Sequence, residues 1–531
     1  MTIRFQRNVA IAELSDDIFD VLVIGGGITG AGVLLDAASR GLKAALVEKK
    51  DFASGTSSKS SKLIHGGLRY LQQKDFSLVY EALLERQNLL RNAPHLVSPL
   101  KFIIPLYGNS EALIKALSRF YNIALWTYDL TGGIRIGKVH RKISKKEAVA
   151  FIPDLKEDNL HAAFLYWDAQ ADDARLTLSL LRTAVEIHGA TALNYCEVKD
   201  ITKDADTFIT TCELPNNSSI EIKSKALVNA AGVHSDEIRA LDEKQHPRSI
   251  IPAKGIHLVV KSRDFKTNVA GVIPAPKDKR SIFVIPWYDY TYIGTTDTLY
   301  EGSLDDPPIT KQDMEYLLTA INRFSKTELN PRHLTGYWSG LRPLLANSHN
   351  SLNSKTQDMS RRHTVMVSQN KMVTITGGKL TTYRKMAKDA VDKVVEILDL
   401  KHLRCKTRHL PLIGYEKPFV KDYFSQRYGS EKDIVLQIAN KDPNNKQPVF
   451  EHLPYIYAEA EFSIKYEMVL TLDDLVSRRM RALILNLKAT VDGVKNLRDL
   501  FQKYNLLNNE QFDFQLQALK QQLDFFNNIK S

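Results

Sequence analysis

Three consecutive glycines begin the first stretch of this chain that could hold a ligand. Gly25-Gly26-Gly27-Ile28-Thr29-Gly30 has the spacing G-x-G-x-x-G. It follows Val21-Leu22-Val23-Ile24, a short apolar run of the kind found in a buried parallel strand, and precedes Ala31 to Arg40, a helical stretch stopped by Gly41. In that setting Gly25 allows a tight turn, Gly27 lets the backbone approach a pyrophosphate, and Gly30 lets helix and strand pack closely. The helix N-terminus adds unpaired N–H groups and the positive end of the helix dipole. Glu48 ends the next strand, Ala44-Ala45-Leu46-Val47, where its carboxylate can accept hydrogen bonds from ribose hydroxyls. The chemistry is dinucleotide binding, and this motif alone does not choose between NAD and FAD.

The rest of the chain favours the flavin. Ala226-Leu227-Val228-Asn229-Ala230-Ala231-Gly232 is a strand ending in small residues, with no second glycine fingerprint for a nicotinamide. Thr376-Gly377-Gly378-Lys379-Leu380-Thr381-Thr382 closes another strand and opens a helix over Lys385 to Leu398. A second helix N-terminus aimed at the same ligand suits a long flavin dinucleotide. The polar run Thr56 to Ser61 offers hydroxyls and amides to a cofactor phosphate or to the flavin edge.

The elements that must position these groups follow from periodicity. Phe76 to Asn92 has helical spacing. Ile251 to Val260 and Ser281 to Thr296 read as antiparallel strands, a change of character from the strand–helix–strand start. After about Pro411 the chain becomes helical, with Val469 to Leu487 and Phe512 to Phe526 the clearest periodic stretches. The expected layout is a discontinuous dinucleotide domain (15–100, 165–245 and 345–400), a β-rich substrate domain (101–164 and 246–344) and a helical C-terminal domain (405–531).

Composition bounds the function. The 531 residues, 44% hydrophobic and 25% charged, exclude disordered, collagenous and coiled-coil classes. Three scattered cysteines argue for a reduced compartment and against a cysteine-based zinc site. No metal is expected. The longest apolar stretch, Val21 to Leu35, is too short and glycine-broken to span a bilayer, and no signal-peptide pattern precedes it. The net charge of +11 favours an anionic partner, whether nucleic acid, acidic lipid or phosphorylated substrate, unless it is only a solvated basic surface.

Ser57 to Leu71, with the core Ser60-Ser61-Lys62-Leu63-Ile64-His65-Gly66-Gly67-Leu68-Arg69-Tyr70, resembles the signature of the FAD-dependent glycerol-3-phosphate dehydrogenases. Ala171-Asp172-Asp173-Ala174-Arg175-Leu176, Phe283 to Trp287, Gly294 to Asp297, Gly340-Leu341-Arg342-Pro343-Leu344 and Gly377 to Arg384 are similar to later blocks of that family, in the same order. The resemblance implies an α/β fold: a Rossmann-like FAD domain of the glutathione-reductase and D-amino-acid-oxidase type, an inserted antiparallel β-rich substrate domain and a helical C-terminal domain. It implies oxidation of sn-glycerol 3-phosphate to dihydroxyacetone phosphate by hydride transfer to FAD, with electrons passed to a membrane quinone.

Carried over residue by residue, the family's pattern makes His65 the candidate base, with a flavin or backbone contact as its other reading. Arg69, Tyr70, Arg342, Lys379 and Thr382 then line the substrate pocket, and Lys254 helps orient the substrate or its developing charge. Cofactor contact is expected from Gly25, Gly26, Gly27, Ile28, Thr29, Gly30, Glu48, Thr56, Ser57, Ser60, Ser61, Gly66, Gly67, Val198, Ala231, Gly232, Gly377, Gly378, Lys379, Leu380 and Thr381. A glycerol-3-phosphate oxidase, handing electrons to oxygen, shares the motifs. A basic flavin-containing nucleic-acid-binding protein has only the net charge in its favour, and no nucleic-acid partner is expected. The expected location is cytoplasmic, peripherally attached to an anionic lipid surface, with a homodimer as an open alternative to a monomer. Basic and apolar residues mix in the run Val476 to Ile484, which reads equally as a helix with one core side and one solvated side, so the sequence does not locate that surface.

Overall fold

The computed structural model describes residues 3–68, 75–132, 136–243, 249–275, 281–345, 362–417 and 422–531. Two sheets organise them. The first has the strand order His363–Val367, Val373–Gly377, Ser219–Asn229, Ile18–Ile24, Ala44–Val47, Thr191–Leu193. Its four central pairings are parallel, and the hairpin Glu197–Asp204 and Thr207–Glu213 extends Ser219–Asn229. Val21, Leu22, Val23 and Ile24 are all buried, as a strand covered on both faces requires. Helices Ile28–Arg40, Asp173–Glu186 and Tyr383–Ile397 pack on this sheet. Ile18–Ile24 sits where the chain order reverses, with Ala44–Val47 on one side and Ser219–Asn229 on the other. The crevice beyond the C-terminal ends of such strands is where ligands bind in open α/β sheets.

The second sheet is mostly antiparallel. Its main path runs Thr298–Leu299, Ile250–Lys261, Tyr290–Gly294, Ser281–Trp287, Ala270–Pro274, Val97–Tyr107, Leu160–Ala171, Leu63–Ile64, and Leu334–Leu345 pairs with Ile250–Lys261. Leu160–Ala171 pairs with Val97–Tyr107 along its length, so it crosses the boundary expected between residues 164 and 165. The hydrophobic core of this sheet continues without a break into the helical C-terminal residues, from Val449 to Phe526.

The C-terminal stretch departs from the expected helix over Val469 to Leu487. A wide helical turn covers Asp474–Arg479, Arg481 adopts φ +64°, and a short helix Ala482–Leu485 follows. The basic side chains here do not face solvent. Arg479 binds Asp51, Arg478 binds Asp51 and Asp474, and Arg481 binds Asp173 at 2.9 Å; all three arginines are buried. The run Val476 to Ile484 is therefore an interior seam between domains and not a lipid-facing surface. Paired on both sides, these charges need every partner, because a buried ion left unpaired costs several kcal/mol.

Candidate functional site

The glycine turn is built as its spacing demands. Gly25 has φ +111°, and a Cβ there would lie 2.7 Å from the Ala230 carbonyl oxygen on the neighbouring strand. A Cβ on Gly30 would fall 1.8 Å from the Gly25 carbonyl oxygen. The Gly26 amide donates to Glu48 Oε2 at 2.6 Å and the Lys50 amide to Oε1 at 2.9 Å, which fixes the carboxylate at the strand end. Burial nonetheless pushes the Glu48 carboxyl above its ordinary range. The Ile28 amide, in the first turn of the helix, donates to Ser57 Oγ at 2.8 Å.

A cleft of about 850 Å³ opens over this turn, lined among others by Gly25, Gly27, Ile28, Thr29, Glu48, Ala231, Gly232, Gly377 and Gly378. It joins the ends of four strands of the first sheet with one face of Leu334–Leu345. A backbone cradle too tight for any Cβ, an exposed helix N-terminus and a carboxylate at the second strand end are what a dinucleotide needs, so the residues present fit FAD. We expect Gly30→Ala to lower FAD affinity at least about tenfold, because the turn must open to admit the methyl group. Flavin fluorescence titration of the stripped protein measures it.

A smaller cavity of about 180 Å³ shares Thr56, Lys59, Gly340, Leu341, Pro343, Gly377, Gly378, Lys379 and Leu380 with the cleft. His65, His257 and Arg342 line the small cavity and not the cleft. Arg342 is aimed by its partners: Nη1 donates to Thr296 O at 3.2 Å and Asp297 Oδ1 at 3.1 Å, and Nη2 to Thr295 Oγ1 at 2.9 Å. Gly255, on the adjoining strand, makes room for it, since a Cβ there would lie 2.4 Å from Nη2. Lys379 sits between the left-handed Gly378 and the turn Leu380–Thr382 and lines both spaces.

His65 is held through its backbone. Its amide donates to Thr381 Oγ1 at 3.2 Å. The next amide, Gly66, donates to the buried Tyr128 hydroxyl at 2.9 Å, which in turn donates to Asp168, and Arg86 pairs with the same carboxylate at 2.5 Å. Gly66 and Gly67 thus serve the turn that presents His65 and do not line either cavity.

The structure leaves several expected residues away from these spaces. Lys254 is buried with its ammonium on Asp313 Oδ2 at 2.6 Å and Pro308 O at 3.2 Å. The reason is strand alternation: Gly255 and His257 share the cavity-facing side of Ile250–Lys261, and Lys254 points the other way. Thr382 is buried with its hydroxyl on the Lys379 carbonyl, and its neighbour Thr381 reaches the cavity instead. Val198 is buried in the core beside the first sheet, opposite Cys212. Gly26 and Gly30 act through the turn. Arg69 and Tyr70 lie outside the described residues.

The serine loop turns inward as well as toward the ligand. Thr56 Oγ1 donates to Leu341 O at 2.5 Å, Ser60 bonds Asp173 through both its amide and its hydroxyl, and Ser61 Oγ meets His257 Nε2 at 2.8 Å. His257 stacks on Trp338 with ring centroids 4.6 Å apart. Burial, then the neighbouring Lys62 and Arg342 charges, hold its pKa well below the ordinary value, so the ring is neutral. Its Nδ1 has no hydrogen-bond partner among the described residues. His257 carries the signal that strand phase provides: it lies two positions from Gly255, on the same face.

Behind that wall Lys62 is fully buried, with Nζ 3.1 Å from Asp173 Oδ1 and 4.4 Å from the Trp338 ring centroid. Burial, with the nearby Arg481 charge adding to it, lowers its pKa to about 7. Between that value and the ordinary lysine value the unfolded chain binds the extra proton, so stability rises with pH across this window. The melting temperature of the wild type, measured against Lys62→Met, should therefore climb from neutral pH upward. A difference that stays flat with pH would remove Lys62 as its source.

Comparisons with known proteins agree with this geometry. Residues 20–384 match the family model "FAD dependent oxidoreductase", and residues 405–511 match "C-terminal domain of alpha-glycerophosphate oxidase". The glycerol-3-phosphate dehydrogenase 2 of Mycobacterium bovis is 38% identical over 498 residues, covering 90% of this chain and 83% of the relative. The aerobic glycerol-3-phosphate dehydrogenase of Staphylococcus aureus is 33% identical, covering 93% and 92%. The crystal structure of the Bacillus halodurans glycerol-3-phosphate dehydrogenase, complexed with FAD, superposes with a TM-score of 0.79 at 30% identity over 98% of both chains. With its glycine turn, its cleft and these relatives, the chain belongs to the FAD-dependent glycerol-3-phosphate dehydrogenase family.

Proposed function

We propose that the protein oxidises sn-glycerol 3-phosphate to dihydroxyacetone phosphate and passes the electrons to a membrane quinone. The observation that carries the substrate reading is the small cavity, where Arg342 and Lys379 converge beside His65 at the end of the cofactor cleft. Arginine gives a planar pair of donors to a phosphate and lysine a point charge. A polyol without phosphate brings no anion for these two side chains to hold.

Bound FAD supplies the two-electron acceptor for the hydride that leaves C2 of the substrate. His65 takes the proton of the C2 hydroxyl, so that proton and hydride depart from the oxygen and carbon of one alcohol. His257, neutral and with Nδ1 unsatisfied, offers a hydrogen bond within the same cavity. Leu341, Pro343 and Leu344 give the pocket an apolar side that excludes water.

Anaerobic titration of the flavin absorbance tests the reading. Glycerol 3-phosphate should bleach it and glycerol should not; flavin that stays oxidised with the phosphate ester would overturn the proposal. The acceptor is tested separately, by quinone-dependent turnover against peroxide release in air. Stoichiometric peroxide would replace the quinone reading with the oxidase one. A quinone dissolved in a bilayer also implies peripheral attachment, since no described helix is long and apolar enough to cross one.

A further inference from the structure

Between the strand Thr298–Leu299 and the helix Lys311–Asn322 the chain leaves the second sheet and reaches across to the first. Both feet of this crossing are fixed. The outgoing end is paired with Ala253 and Lys254 of Ile250–Lys261, and the Tyr300 amide donates to the Pro252 carbonyl at 3.0 Å. At the returning end Ile309 is buried, Thr310 caps the helix, and the Lys254 ammonium holds Pro308 O at 3.2 Å and Asp313 Oδ2 at 2.6 Å. Lys254, turned away from the substrate cavity by strand alternation, therefore ties down one foot of the crossing.

The tip, Asp305-Asp306, meets the other domain through charge. Asp306 Oδ1 lies 2.8 Å from Lys59 Nζ, and its Oδ2 lies 3.4 Å from Lys50 Nζ. Asp305 Oδ1 lies 3.3 Å from both Lys49 Nζ and Lys50 Nζ, and 3.4 Å from His234 Nε2. These partners come from three places around the glycine turn. Lys49 and Lys50 follow Glu48 at the second strand end, Lys59 stands in the serine loop, and His234 lies just beyond Ser219–Asn229. Both aspartates and all four partners line the large cleft. The Asp305 and Asp306 side chains are 42% and 76% exposed, so each ion pair is weak alone and is screened by salt. Such a contact can open without unfolding either domain.

We propose that residues 301–308 form a strap over the adenosine half of the cofactor, latched by Asp305 and Asp306 on the three lysines, and that FAD is retained until the latch opens. Glu48 fixes which half is covered. A carboxylate at the second strand end is the ribose position of a bound dinucleotide, and Lys49 and Lys50 are the next two residues. The fixed feet confine the movement to the span between them, so the strap lifts as one piece while Ile250–Lys261, which carries Gly255 and His257 of the substrate cavity, stays in place. The inference rests on the cleft being the FAD site, which Gly30→Ala tests separately.

Exchange of bound FAD against an excess of radiolabelled FAD, followed in the full-length holoenzyme, tests it. Wild-type exchange should quicken about tenfold between about 50 mM and 1 M sodium chloride, where the screening length falls to about 3 Å. Asp305→Asn with Asp306→Asn should exchange about tenfold faster than the wild type at low salt and respond to added salt less than about twofold. Lys59→Glu alone should also be fast. Adding Asp306→Lys to it reverses the pair and should bring the rate back to within about threefold of the wild type. The flavin absorbance and far-ultraviolet circular dichroism of each holoenzyme verify that it is folded. Wild-type exchange that ignores salt would overturn the strap without recourse to any variant. Slower exchange in the double-asparagine protein would overturn it too, because the aspartates would then only offset lysine charge that holds the cofactor phosphates. A reversed pair that exchanges as fast as Lys59→Glu alone would show Lys59 acting on the cofactor by itself, and the latch would fall.

Discussion

Arg342→Ala should raise the KM for glycerol 3-phosphate by two to three and a half decades and leave the flavin bound. The guanidinium lines the substrate cavity but not the cofactor cleft, so its loss is felt by the phosphate ester and not by FAD. Removing one member of a partly buried charge pair costs roughly 3–5 kcal/mol, which is the stated range in affinity. Part of the loss arises within the protein, because Asp297, which is 8% exposed, loses its ion pair with the guanidinium. Arg342→Lys should recover only part of the affinity: it restores charge but cannot hold Thr295, Thr296, Asp297 and a phosphate in one plane. Steady-state kinetics with a soluble dye, beside the flavin spectrum of each variant, measures both halves. An unchanged KM in the alanine variant would take Arg342 out of the phosphate site.

What the sequence disclosed about this site follows the range of the interactions involved. The shape of the glycine turn and the place of Glu48 at the strand end are legible in the sequence because strand, turn and helix are contiguous, and their geometry depends on neighbours within a few residues. Lys254 and His257 separate the two kinds of information. Residue type favours the lysine as a partner for substrate charge, whereas the phase of the strand, fixed by pairing with Leu334–Leu345, sends the lysine to Asp313 and the histidine to the cavity. Loop hydroxyls expected at the cofactor are partly engaged by the protein, since Asp173 and His257 stand more than a hundred residues away in sequence.

The C-terminal basic run is the sharper case. Arg478, Arg479 and Arg481 look like surface charge until Asp51 and Asp173, some three to four hundred positions upstream, are brought beside them.

His65→Ala should slow anaerobic flavin reduction by about 10²–10⁴, the usual span for loss of a general base. The backbone hydrogen bonds that place this residue survive the change, because Thr381 and Tyr128 engage the amides of residues 65 and 66 and not the ring. Flavin affinity should therefore stay close to the wild type while the rate falls, and KM should move less than kcat. The pH profile separates a base from a mere wall of the pocket. If the imidazole takes the hydroxyl proton, wild-type reduction falls on the acid side as the ring becomes protonated, and the alanine variant loses that limb. His257 does not replace it, since burial, the largest cause, holds the pKa of that ring well below the ordinary histidine value. Stopped-flow reduction across pH 5.5 to 8.5, about one unit or more either side of an ordinary histidine, reads the limb directly. An alanine variant that keeps the wild-type acid limb, or that loses flavin without a separate defect in rate, would assign His65 to holding the cofactor and leave the proton to another group.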